Sequence, residues 1–386
     1  MIRWLAVVAA LLVSALPAAA HLTPNSEVKL AFGGDHVSAD MIIPQGEYAA
    51  ATGNPTGNDR QSLQRADAYM HKNIRVRAPD GRDWLISFES LAFAQIAGPP
   101  DLHAVARLDP PAGAPVRQFR IDWQAIIAEQ PGHFILFVAV ADFAGGKTDH
   151  RPHILGALQG QRRSLVIDRG DASLWRGLGA ATRLGMHHIA DGRDHLLFLL
   201  TLLLPAPMLT NGRRWPNRRW NNRRTPRAAL LHLAGIVTAF TIGHSVTLVL
   251  VAALGWQLAA APVEIAIALT ILVAAIHAWR PLFPGREAIV AGSFGLVHGM
   301  AFAWVVAGLG IDRTEKALAI LGFNLGIEIV QIALVAAVLP LLLLVARSRR
   351  AAVWRNTGAA LAGIAAAAWL VERISGVPNV ITVLLG

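Results

Sequence analysis

Cysteine is absent from the 386 residues, so no disulfide, zinc ribbon, iron–sulfur cluster or thiol nucleophile can form. Methionine is scarce at 6 residues, which leaves a soft copper(I) site short of ligands. Charge is thin too: 16% of residues are charged, against roughly 25% in an ordinary soluble domain. Apolar residues make up 54% of the chain, enough to exclude intrinsic disorder. The 34 Gly and 21 Pro follow no short repeat, which excludes a collagen-like or low-complexity chain. The apolar excess is uneven: residues 21–172 read as a polar globular half, while 184–386 hold nearly every long apolar run. Two domains in two different solvents are therefore expected.

Residues 1–20 predict a secretory signal, with Arg3, an apolar run over 4–16, Pro17 and the small triplet Ala18-Ala19-Ala20. The run is too short to cross a hydrocarbon core of ~30 Å. Cleavage after Ala20 would place a free α-amine beside the His21 imidazole, a pair able to chelate a transition metal; the favoured reading is an ordinary terminal residue, since the two supply too few ligands for a full site. In 21–172, β-rich runs at 27–32, 37–43, 73–77, 84–88, 102–108, 116–123, 133–143 and 164–168 alternate with turn signals, and a helix is expected over 60–72. That pattern predicts an exported β-sandwich-like domain. The stretch from Ala141 to Thr148 mimics a nucleotide loop. A phosphate loop needs a helix N-terminus next, and Asp149-His150-Arg151-Pro152-His153 reads as loop instead. His150 and His153 read as a solvated turn.

From 173 onward the chain predicts a bundle of six transmembrane helices, over 184–208, 228–254, 262–279, 288–309, 317–346 and 353–371. Loop charge gives the orientation. Residues 211–227 carry seven arginines (Arg213, Arg214, Arg218, Arg219, Arg223, Arg224 and Arg227) and no acid; Arg280 and Arg286 follow the third span, and Arg347, Arg349, Arg350 and Arg355 follow the fifth. All three loops fall on one side, which the positive-inside rule makes cytoplasmic. The expected location is a bacterial inner membrane, with the N-terminal domain and the C-terminus on the periplasmic side. The formal net charge of +10 then reflects topology and lipid headgroups, and no nucleic-acid partner is expected.

Ionisable groups inside spans are costly, so each is a functional candidate. The first span opens with His187-His188-Ile-Ala-Asp191-Gly-Arg-Asp194-His195. On one continuous helix His188, Asp191 and His195 share a stripe at i, i+3 and i+7, a metal half-site, and Asp194 is placed to orient an imidazole. The second span carries Thr241, His244 and Ser245 on one face. The fourth places His298 among glycines at close-packing spacing. In the fifth, Asn324, Glu328 and Gln331 recur at i, i+4 and i+7. Glu264 sits in a helix first turn, where the dipole suits it, and His232 and His277 read as structural. The candidate metal set is thus His188, Asp191, Asp194, His195, His244, His298, Asn324 and Glu328. Its imidazoles and carboxylates suit Ni, Co, Zn or Mn alike.

At His188-x5-Asp194-His195-Leu-Leu-Phe, Phe-Thr241-Ile-Gly-His244-Ser, Gly-Leu-Val-His298-Gly and Phe-Asn324-Leu-Gly-Ile-Glu328, the sequence resembles the HupE/UreJ family, over about 173–386. The resemblance implies a nickel permease whose His-x5-Asp-His helix carries metal-selecting ligands. It also implies partnership with hydrogenase, urease or another metalloenzyme maturation system. The expected function is a permease for a divalent transition metal, most naturally nickel or cobalt, without ATP hydrolysis and without enzymatic activity. Two other readings stand beside it. An intramembrane metal-dependent hydrolase would hold zinc and activate water, and a metal sensor or assembly factor would act through the exported domain. A permease needs polar positions that continue towards the cytoplasm, and the sequence thins out below His244 and His298.

Overall fold

The computed structural model describes residues 25–95, 100–148, 152–211, 219–254, 259–307 and 312–377. The signal segment, His21, His150 and the last nine residues lie outside them. The chain divides into a β-rich unit and a helical unit.

In the β-rich unit, alternating apolar and polar residues fold into two sheets. The larger has the order β4 (Leu85–Ala94), β5 (Asp101–Asp109), β2 (Val37–Pro44), β1 (Asn25–Phe32), β7 (Phe134–Asp142), β8 (His153–Gln159). The smaller has the order β3 (Ile74–Arg77), β6 (Gln118–Trp123), β9 (Ser164–Asp168). Strand β2 buries every second residue and pairs antiparallel with β5, as a strand with one face on a core must. Trp123 of the small sheet meets Phe137 of the large one edge-on, with ring centroids 5.6 Å apart, so the apolar faces of the sheets share a core. Two elements were not expected from sequence, helix α1 (Gln45–Thr52) and strand β8. Helix α2 (Arg60–Asn73) starts where Asp59 accepts hydrogen bonds from the Gln61 and Ser62 amides. The nucleotide-loop mimic is a tight hairpin turn: the Asp142 and Lys147 backbones exchange hydrogen bonds, and Asp142 Oδ1 accepts from Gly145 N.

One imidazole is enclosed in this unit. The His133 side chain is 1% exposed, its Nε2 lies 2.8 Å from Ser26 Oγ, and its Nδ1 is 3.6 Å from Glu47 Oε2. Burial pushes its pKa below the usual histidine value.

The helical unit comprises α3 (Leu174–Asp191), α4 (Arg193–Leu203), α5 (Pro226–Leu254), α6 (Ala260–Trp279), α7 (Glu287–Ala307), α8 (Arg313–Arg347) and α9 (Ala351–Ser375). A hairpin of β10 (Met208–Asn211) and β11 (Arg219–Arg223) separates α4 from α5. Among the described residues, α5, α6, α8 and α9 are long and apolar enough to cross a membrane. Large apolar side chains such as Leu321, Ile332, Leu341 and Leu361 are exposed, as they are where the solvent is lipid. The expected first span is corrected. No single helix runs over 184–208: the chain breaks at Gly192 and again after Leu203. Gly192 adopts extended backbone, and Asp194 in the first turn of α4 favours a fresh helix N-terminus there. Pro205 and Pro207 then prevent α4 from continuing.

Glycine spacing decides which helices lie closest. Helix α5 packs on α7, α3 on α8 and α6 on α9. A Cβ on Gly295 of α7 would collide with the Phe240 carbonyl of α5, and one on Gly326 of α8 with the Thr182 carbonyl of α3. Small residues at such crossings let backbones touch, the main source of helix association in lipid.

Candidate metal centre

The break at Gly192 turns the first candidate helix into two segments that present different faces. His188, on the last turn of α3, and His195, on the first turn of α4, come together with ring centroids 4.6 Å apart. His244 of α5 joins them. Each of the three offers one ring nitrogen, and these nitrogens lie within 4.8 Å of one another. His195 and His244 are buried. Ligand atoms at about 2.1 Å from one ion stand 3–4 Å apart, so a small inward movement would let the three share a metal.

Hydrogen bonds settle which nitrogens are available. The carboxylate Asp194 Oδ1 lies 3.1 Å from His195 Nδ1 and also accepts from the His195 amide. A carboxylate only accepts, so Nδ1 carries the proton and the Nε2 lone pair remains; Nε2 has no hydrogen-bond partner among the described residues. This is the carboxylate–histidine arrangement that fixes a metal-binding imidazole. His298 of α7 stands beside the trio, its ring 5.2 Å from that of His195. Thr270 of α6 gives its single hydroxyl proton to the Ile267 carbonyl at 2.6 Å, so it receives the His298 Nε2 proton at 2.9 Å. The Nδ1 of His298 is left as the acceptor, again without a partner among the described residues. Phe198, Phe240 and Phe323 wall these imidazoles at centroid distances of 5.0, 5.3 and 5.2 Å, which excludes water and strengthens any charge interaction inside.

The remaining candidates divide. The Asn324 amide of α8 donates to the Ile320 carbonyl, and its Oδ1 has no hydrogen-bond partner among the described residues. Glu328 is not among the imidazoles. Its Oε2 accepts from Thr241 Oγ1 at 2.9 Å, and Gln331 Oε1 lies 2.9 Å from the same hydroxyl. Thr241 is three residues N-terminal to His244 on α5, and Glu328 four residues C-terminal to Asn324 on α8, so this oxygen group forms the next layer of the same crossing. Asp191 points away from the group: its side chain is exposed and pairs with His187 at 3.6 Å. The single stripe through His188, Asp191 and His195 is thereby corrected, because it required a continuous helix.

One participant had little sequence signal. Thr270 is a lone hydroxyl in an apolar run, and only the need of a buried hydroxyl for a partner marked it. Ser245 and Ser293 return their hydroxyls to carbonyls four residues back, so neither is set up as a nucleophile. His277 is structural: its Nδ1 accepts from the Leu282 and Phe283 amides and its ring stacks on Phe283 at 3.8 Å.

Comparison with protein-family models matches residues 162–373 to the family described as HupE / UreJ protein. No curated protein matches the chain. The matched segment holds every side chain of the imidazole group and the oxygen layer beside it, and that family is related to nickel and cobalt transport in membranes.

Proposed function

The chain belongs to the HupE/UreJ family, and on that premise we propose that its helical unit is a permease for a divalent transition metal, nickel or cobalt first, with zinc or manganese compatible. Its ligands are His188, His195 and His244, with His298 beside them and Asp194 holding His195. The observation that carries the reading is that polar groups do not stop at the imidazoles. By the loop charges, Thr241, Glu328 and Gln331 lie on the cytoplasmic side of His244 and Asn324, where a hydrolase pocket would have no use for them. Broken helices whose irregular backbone lines a polar site are also how many transporters bind ions at membrane depth. An inward-moving divalent cation gains roughly 4–5 kcal/mol per 100 mV, from about 2.3 per charge, so no nucleotide is needed. The topology that fits this reading has six crossings, with the β-rich unit and the C-terminus outside the cytoplasm.

Uptake of radiolabelled nickel, cobalt, zinc and manganese into liposomes by the purified protein tests the proposal beside His188→Ala. The expected result is flux of at least one ion, mostly lost in the variant. Bound zinc without flux of any ion would replace the permease by an intramembrane hydrolase.

A further inference from the structure

A cavity of about 380 Å³ lies among the α3–α4 break, the first turns of α6 and the last turns of α9. Its walls include Asp191, Arg193, Asp194, Glu264, Trp369 and Arg373, so three carboxylates and two guanidinium groups border one space. Glu264 does not stand alone there. Its Oε2 is held by Arg373 Nε at 2.7 Å, with both side chains less than half exposed. The cavity also touches the metal-centre candidates directly: Asp194 lines it and holds His195 at 3.1 Å. The helix ends that form it are those remote from the arginine-rich loops, hence the ends outside the cytoplasm.

Size and charge say what the cavity can admit. A divalent ion with six waters, at about 30 Å³ of liquid volume each, needs roughly 180 Å³, so it fits with its hydration shell intact. The net charge of the border is negative by one group, which attracts a cation. One carboxylate of this border, Glu264, however, already carries a cation of its own, tethered to α9.

We infer that this cavity is the vestibule in which the hydrated metal ion docks before it reaches His195, and that Arg373 is a tethered surrogate cation that Glu264 exchanges for the arriving ion. A monovalent ion offers Glu264 one charge, no more than the guanidinium already does, and the tether gives Arg373 a high local concentration. A divalent ion offers twice the charge, so it displaces Arg373 where sodium or potassium does not. The exchange admits the substrate and keeps the commonest cations from resting on the route. Asp194 lines the same wall, and it already bonds the His195 imidazole. The inference rests on the permease reading for its direction of travel, and on the cavity alone for docking.

Two measurements separate those dependences. The first is nickel uptake into liposomes by the full chain and by Arg373→Gln, with and without sodium outside. Removing the surrogate is expected to lower the half-saturating nickel concentration about two- to fivefold, the strength of a half-exposed ion pair, and to make uptake sensitive to sodium. Arg373→Lys should restore the sodium resistance. The second is quenching of Trp369 fluorescence by cobalt(II), taken as the difference between the full chain and Trp369→Phe. Quenching is expected to persist in His195→Ala and to weaken in Glu264→Gln. If the unaltered protein transports and Arg373→Gln matches it in half-saturation and sodium response, the surrogate role is overturned while the permease stands. If quenching ignores Glu264→Gln, docking in the vestibule is overturned. Absence of flux with cobalt quenching that depends on Glu264 would overturn the permease reading and leave the docking site.

Discussion

His195 and His277 show that a buried histidine declares its role through the nitrogen it gives away. His195 donates Nδ1–H to Asp194 and keeps the Nε2 lone pair, whereas His277 spends the Nδ1 lone pair on two backbone amides. Asp194→Asn should therefore weaken metal binding by about 10–100-fold, the usual loss when a carboxylate behind a ligating imidazole is removed. His195→Ala should lose the site altogether, and isothermal titration with nickel distinguishes the two. His133 makes a different prediction. Its folded pKa is depressed by burial, so below about pH 6.5 the unfolded chain takes up a proton that the folded chain refuses. Its contribution to stability is complete above pH 6.5 and declines as pH falls below it. Hydrogen exchange of β1 and β7 amides in the full chain should show openings that become easier from pH 7 to pH 5.5, and His133→Gln should flatten that part of the slope. Residue types were legible in advance because ionisable groups in apolar runs stand out. Proton positions and the partnership of Thr270 with His298 were not, since they depend on contacts between α6 and α7 that no local pattern encodes.

At the scale of elements, Gly192 joins α3 to α4 where His188 and His195 meet. A Cβ there would lie 2.6 Å from the His188 carbonyl oxygen and 2.7 Å from His195 Nδ1, so the backbone or the His195 ring must shift. Gly192→Ala should lower nickel affinity although it removes no ligand, with helix content by circular dichroism unchanged; normal affinity would show that the break need not hold its shape. The helical phasing of the sequence placed His188 and His195 on one side, and the structure brings their rings together by another route, across two helix ends. It also placed Asp191 with them, which only an unbroken helix could do. The break was hard to foresee because the apolar run after His195 resembles the body of a span, and one glycine between Asp191 and Arg193 carries little weight in a hydropathy window. Strand β8 escaped for a related reason. Gly156 interrupts its alternation, and the Leu165 side chain of β9 fills the space a Cβ would take.

For the whole molecule, the six-crossing topology predicts that reporters fused after Arg219 and after Gly386 fall on opposite sides of the membrane. The same side for both would overturn the span count. The membrane character of 173–386 was legible because lipid imposes it on composition, with an apolar exterior and arginine concentrated in alternate loops. The β-rich unit was legible as two sheets for its alternation, and its ligand was not, because nothing in its strands departs from that alternation in a way that marks a site.

Helix α8 carries a further consequence. Its 35 residues rise about 52 Å, against a hydrocarbon thickness of ~30 Å, and Pro340 within it leaves the Ala336 carbonyl without its usual amide partner. A helix so much longer than its slab must lean, and the proline gives it a place to bend. The lean sets the height of Asn324 and Glu328 against α5, so acyl-chain length becomes a physical control on the layer below His244. Reconstitution in lipids of increasing chain length should stand α8 more upright and change the uptake rate in graded steps, while a rate indifferent to bilayer thickness would mean that α8 keeps its angle by its contacts with α3 and α5.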